Sequence, residues 1–285
     1  MNRFAIVLGL IAWLATGKAC AGDEVWHAKQ TLEMREDPKS EGKTKVNLVL
    51  KEEQTDEYTT EQEGGPPQLR RTWTTSKGAA GKGPAKPTTL QGCVILLETK
   101  EEGCTATVEK GTPGDNALAL LTQGPPDPLQ LLLPTGDVEQ GTSWQVDAPS
   151  VARFLASACA GLAGMAGDVG GAVKTDVSDS EGVALQAKVA SIRGDEVTVR
   201  FEGKGEAKGA TGIEIGGAEG PPSVWVEISG SLVFSLAKRR PLKLQWAETR
   251  AMNAKGTAKV APGITASVWR FTGTRSIARS YAPGK

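Results

Sequence analysis

A two-residue rhythm of apolar side chains constrains this chain more than any other feature. Val183, Leu185, Ala187 and Val189 alternate with polar residues, and after Gly194-Asp195 the beat resumes at Val197, Val199 and Phe201. A period of two sends successive side chains to opposite faces of a strand, so each segment has one face to bury. The longest case covers residues 224–236, where Val224, Val226, Ile228, Leu232, Phe234 and Leu236 share a face and Gly230 marks a bend. A basic turn at 238–241 leads to Leu242, Leu244 and Trp246, and Ile264, Ala266 and Val268 open a last strand.

The first half carries the same pattern less cleanly. Trp26, Ala28, Leu32 and Met34 alternate, with Gln30 as the exception; Val46, Leu48 and Leu50 follow, then Leu69 and Trp73. Residues 52–63 hold Glu52, Glu53, Asp56, Glu57, Glu61 and Glu63, which reads as a solvated edge whose charge discourages edge-to-edge pairing. Residues 78–87 read as a flexible Gly/Pro loop. Residues 91–110 form a hairpin: a turn at Glu101-Glu102 pairs Thr99 with Cys104, Leu97 with Ala106, Ile95 with Val108 and Cys93 with Lys110. That register keeps Cys93 and Cys104 about 20 Å apart, too far for a disulfide, so both read as small buried apolar side chains.

One segment breaks the rhythm. Val151, Phe154, Leu155, Ala158, Leu162 and Met165 form a single helical stripe over about 150–166, with Ser150 as cap and Cys159 on the same face. Before it, the apolar runs 117–121 and 129–133, separated by Pro125, Pro126 and Pro128, suggest single helical turns. Glycine and proline make up 51 of 285 residues, as expected of many turns between short strands. The expected fold is therefore mostly β: antiparallel meanders forming a strongly curved sheet or two packed sheets, with one central amphipathic helix. The expected division is a signal peptide (1–21), an N-terminal β half (22–148), and a helix with a C-terminal meander (149–285), the last two free to form one continuous domain.

The signal-peptide expectation rests on Arg3, an uncharged apolar run over 4–15, and small residues Ala19 and Ala21 around Cys20. Cleavage before Gly22 competes with lipid attachment at Cys20; Gly17 and Lys18 suit the latter poorly. The expected location is the periplasm or the extracellular space, with no membrane span. The first 21 residues hold two of the 33 basic residues and none of the 33 acidic ones, leaving the remainder at −2. Such a balance offers no footprint for nucleic acid.

The chemistry excluded is as informative. His27, the only histidine, falls on the polar face of its strand, and no Gly-x-Ser-x-Gly elbow accompanies it. Asp176, Asp179 and Glu181 lack EF-hand spacing, and the glycine-rich stretches lack a Gly-Lys-Ser/Thr phosphate loop. Aromatics are 5% of the chain, few for an aromatic-lined carboxylate cleft. No catalytic residue, cofactor or metal ligand is assigned. Three cysteines remain beyond residue 21, an odd number, so Cys159 is free to pair with Cys93 or Cys104 or to stay reduced. Trp225 lies opposite the Val224/Val226/Ile228 face; either a second layer covers it or it is a surface contact.

Leu133-Pro134, Val138, Gly141 and Trp144, followed by the helix and by residues 230–234 with their basic turn, are similar to a group of exported β-rich bacterial proteins. The resemblance implies export and a β-rich fold, and brings no site residues. The expected function is an exported non-enzymatic binding or scaffold protein of the cell envelope, with a hydrophobic ligand or an envelope protein as partner. The alternative is a carrier, by analogy with periplasmic lipoprotein-carrier folds, whose cavity Phe154, Leu155, Leu162, Val226, Leu232, Phe234 and Leu244 would line. A carboxylate-based hydrolase is third.

Overall fold

A computed structural model describes residues 24–36, 47–59, 68–81, 83–100, 103–134, 139–165, 183–208, 214–216, 223–237, 240–253, 257–261, 264–267 and 270–284. The expected signal peptide, Val46, Glu61, Glu63, the Glu101-Glu102 turn, Val138, Asp176, Asp179, Glu181 and Val268 lie outside these residues.

The alternating segments form β1 (Glu24–Glu36), β2 (Asn47–Thr59), β3 (Gln68–Ala80), β4 (Lys86–Pro87), β5 (Val94–Thr99), β6 (Cys104–Lys110), β7 (Ser143–Val146), β8 (Val183–Arg193) and β9 (Glu196–Lys208). The series continues with β10 (Glu214–Gly216), β11 (Ser223–Ser235), β12 (Arg240–Asn253), β13 (Thr257–Ala261), β14 (Ile264–Ser267) and β15 (Arg270–Pro283). One antiparallel sheet of 12 strands runs β6-β5-β3-β2-β1-β15-β12-β11-β9-β8-β7, with β4 beside β3 and no closure between β6 and β7. β10, β13 and β14 form a separate three-stranded sheet.

The two meanders meet where the ends of the chain meet. β1 lies between β2 and β15, with Leu32 opposite Ile277 and Gln30 opposite Arg279. The middle of the chain joins the outer edges through α1 (Asp115–Leu121), a 3-10 turn (Pro128–Leu132), α2 (Ala148–Ala158) and α3 (Ala160–Ala163). These helices pack on the inner face of the sheet. Phe154 of α2 meets Trp246 of β12 with ring centroids 5.2 Å apart, and Leu120, Leu129, Val151, Phe154 and Leu162 are all 2% exposed or less. One apolar cluster runs from Cys104 on one edge strand to Val146 on the other, so the sheet wraps a single core. Burying each large apolar side chain there is worth about 1.5–3 kcal/mol.

Several expectations needed correction. Asp147, not Ser150, caps α2: its Oδ1 accepts from Ser150 N at 2.8 Å. The helix expected over 150–166 breaks at Cys159 into α2 and α3. Gly161 shows why α3 sits so deep: a side chain there would collide with Glu52 and Leu50. The loop expected at 78–87 is partly sheet, since Gly78–Ala80 continue β3 and Lys86–Pro87 pair with it. The hairpin register holds for Thr99, Leu97 and Ile95, but a bulge then puts Val94, not Cys93, opposite Lys110. All three described cysteines are buried and none is in a disulfide. β13 and most of β15 escaped the sequence reading.

Candidate functional site

The largest correction defines the site. β2 is not a solvated edge; it lies between β1 and β3, and Glu52, Gln54, Asp56 and Tyr58 face inward. Only the opposite face, with Lys51, Glu53 and Glu57, meets solvent to varying degrees. Inward charge is tolerated because neighbouring strands supply partners in register. Arg71, opposite Asp56 on β3, donates Nε to Oδ1 at 2.7 Å and Nη2 to Oδ2 at 2.8 Å. That bidentate geometry fixes both groups, and the Asp56 charge helps hold Arg71 protonated despite its burial.

Glu52 sits two rows further in, past Gln54. It accepts from Ser76 Oγ at 2.8 Å, and from Gln30 Nε2 and Gln54 Nε2 at 3.2 Å each. Burial pushes its acid strength down, raising the pKa above 4.5, while the Ser76 hydrogen bond and the nearby Arg279 and Arg71 charges oppose that shift. Gln30, the exception to the β1 rhythm, also donates to the Ala158 carbonyl at 3.0 Å, satisfying an orphan carbonyl at the end of α2.

Toward the start of β1 the polar band reaches the rim. Arg240 Cζ lies 3.6 Å from the Tyr58 ring centre, although β15 and β1 separate their strands, and Arg240 Nε donates to Glu24 Oε2 at 3.2 Å. Tyr58 OH donates to Asp127 Oδ2 at 3.5 Å, tying the 3-10 turn to the same end. Side chains from strands three steps apart meet because the inner face is concave.

Among the described residues, four buried polar atoms in this interior lack a hydrogen bond: Trp73 Nε1, Trp246 Nε1, Arg279 Nε and Tyr281 OH. Trp73 Nε1 is near enough to Glu52 to ease its ionisation. The other three are neighbours on β12 and β15. Arg279 opposes Leu244, Trp246 opposes Ile277 one row along, and Tyr281 follows two residues after Arg279 with its ring centre 4.9 Å from Arg279 Cζ. Arg279 is itself anchored, donating Nη2 to Gln54 Oε1 at 2.9 Å and lying 3.7 Å from Asp56 Oδ2. Burial raises the Tyr281 hydroxyl well above its ordinary range, so it stays a donor.

The residues proposed from sequence as cavity lining are brought together here. Phe154, Leu155, Leu162, Val226, Leu232 and Leu244 share the core at 2% exposure or less, and Phe234 is buried at its margin. They pack against one another and the helices, so a ligand on this face must displace helix contacts. Trp225 stands at 45% exposure on the outer face, its Nε1 donating to Glu227 Oε1 at 3.4 Å. His27 is exposed, its Nδ1 3.2 Å from Thr55 Oγ1.

An open depression of about 480 Å³ lies on the outer face, where Ser229, Ser231, Ala247 and Ser276 leave room beside Arg200 and Gln245. Its polar side chains are solvated, whereas the unpartnered donors lie on the inner face. Among the described residues no group of three or more His, Cys, Asp or Glu could hold a metal ion, and no helix is long and apolar enough to cross a membrane. The latter says nothing of a β-barrel.

No family model and no curated protein matches the chain. Among solved structures, one titled for lipid–protein interactions in lipovitellin aligns over 93% of this chain at 8% identity, with a TM-score of 0.47. This chain spans about a quarter of that one's length, at 25%. The crystal structure of Pseudomonas aeruginosa OccK5 (OpdH) aligns over 92% of this chain and 98% of that one, at 5% identity and a TM-score of 0.24. Likenesses this distant carry no functional argument.

Proposed function

We propose that this protein is a non-enzymatic binding protein of the bacterial cell envelope that holds a hydrophobic ligand against its concave face. The observation that carries the reading is the pair of unpartnered buried donors, Arg279 Nε and Tyr281 OH, set beside apolar Leu244 and Ile277. An unmade hydrogen bond in a buried site costs about 1–3 kcal/mol, and a ligand that meets these donors recovers it.

The architecture supports this reading. The described helices on the inner face are short, and α2 to α3 is broken at Cys159. A hydrolase is less well supported: Glu52, Asp56 and Asp127 are 4%, 0% and 6% exposed, and Asp56 is committed to Arg71. Export belongs to the same proposal and rests on residues 1–21 alone.

Native mass spectrometry of protein purified from its own host tests the reading. The expected spectrum shows an adduct that organic extraction removes, with a lower unfolding midpoint afterwards. Protein that arrives free of any adduct and gains no stability from added apolar compounds would contradict it.

A further inference from the structure

The geometry points to a neutral ligand that offers carbonyl or ester oxygen to Arg279 and Tyr281, rather than to a fatty-acid anion or a plain hydrocarbon. This inference rests on the binding reading above and adds the chemical class of the ligand's polar end.

Three observations carry it. First, the unpartnered atoms are all N–H or O–H groups. Donors short of an acceptor select oxygen. Second, among the described residues the Arg279 guanidinium already has an anionic neighbour, Asp56, beside it at 3.7 Å. Arg71 is spent on Asp56 and Arg240 on Glu24. A carboxylate entering here would meet Asp56 and Glu52 in a low-dielectric interior and lose much of what Arg279 offers. A neutral carbonyl carries no such penalty.

Third, two of the donors are placed to share one polar end. Arg279 and Tyr281 lie two residues apart on one strand, about 7 Å along it, with the Tyr281 ring centre 4.9 Å from Arg279 Cζ. The Trp246 ring leans the other way, over Gly230 toward Phe201. Around the pair Leu244, Ile277, Leu232 and Phe154 supply an apolar wall. A carbonyl with two lone pairs can take both donors while its chain lies along the wall.

Three chain-matched probes separate the classes: methyl oleate, oleate and a C18 alkene, each titrated into the protein purified from its own host and followed by tryptophan fluorescence and unfolding midpoint. Methyl oleate is expected to bind about tenfold or more tightly than either of the others. Tyr281→Phe removes only the unpartnered hydroxyl and leaves no new cavity. It is expected to weaken methyl oleate by about three- to tenfold, the worth of one hydrogen bond, and to leave the alkene within about twofold.

Oleate as the tightest probe, or methyl oleate affinity unmoved by Tyr281→Phe, overturns the neutral-carbonyl assignment and leaves the binding reading standing. Failure of all three probes to bind overturns both.

Discussion

Glu52 shows how a single side chain can mislead and then inform. In the sequence it belongs to an acidic run, and acidic runs are usually solvated. Here alternate residues of its described part, from Glu52 to Tyr58, face the interior, where they meet Arg71 from β3, Gln30 from β1 and Arg279 from β15. No local pattern reveals partners so distant in the chain; the one visible sign was Gln30 interrupting an apolar face. Because burial raises the Glu52 pKa, its protonated form suits the fold better than the ionised form. Its contribution is therefore fully present below the ordinary value near 4.5 and is lost as pH rises through the raised value. Glu52→Gln mimics the protonated acid, keeping an oxygen for Gln30 and Gln54 and offering an N–H to Ser76. Urea unfolding at pH 5 and pH 8 should show the variant gaining on the parent as pH rises, by about 1.4 kcal/mol per unit of upward displacement. A gap that stays constant or narrows would mean that Arg71 and Arg279 dominate and that Glu52 is ionised throughout.

The elements were more legible than their partners. Strands with clean alternation, β8, β9 and β11, could be placed from the sequence because one buried face leaves one permitted register. The hairpin of β5 and β6 was readable as far as Ile95, beyond which a bulge shifts the pairing. The helix was visible as a stripe but not as a break, since the break arises from contact. α3 must approach β2 closely enough to seat Gly161 over Leu50 and Glu52. Gly161→Ala should therefore destabilise by about 1–3 kcal/mol through overpacking, although alanine favours helix by about 1 kcal/mol over glycine. Asp147→Ala makes a useful contrast: it removes the N-cap of α2 at an exposed position and should cost about 1 kcal/mol. Chemical denaturation of both variants ranks the seat of α3 against the cap of α2, and a stabilised Gly161→Ala would mean that α3 is not held against β2.

For the whole molecule the decisive pairing is β1 with β15, which joins the two ends of the chain in the middle of one sheet. Sequence periodicity identified two meanders but was silent on this seam, because strand alternation records which face is buried and not which strand lies alongside. The seam has a thermodynamic consequence. Leu50 of β2 and Trp246 of β12 belong to one cluster, and α2 with α3 touches both meanders. With no apolar boundary between them, neither meander has a complete core alone, and unfolding should be a single cooperative transition. Leu50→Ala offers the test: a buried Leu→Ala change costs about 2–5 kcal/mol, and hydrogen exchange reads its effect strand by strand. If the core is shared, the slowest amides of β8 and β9 lose protection by the same free energy as those of β2 and β3. Loss confined to β1, β2 and β3 would show two cores that merely adjoin, and the concave face would then lack the unity that a ligand bound across β12 and β15 requires.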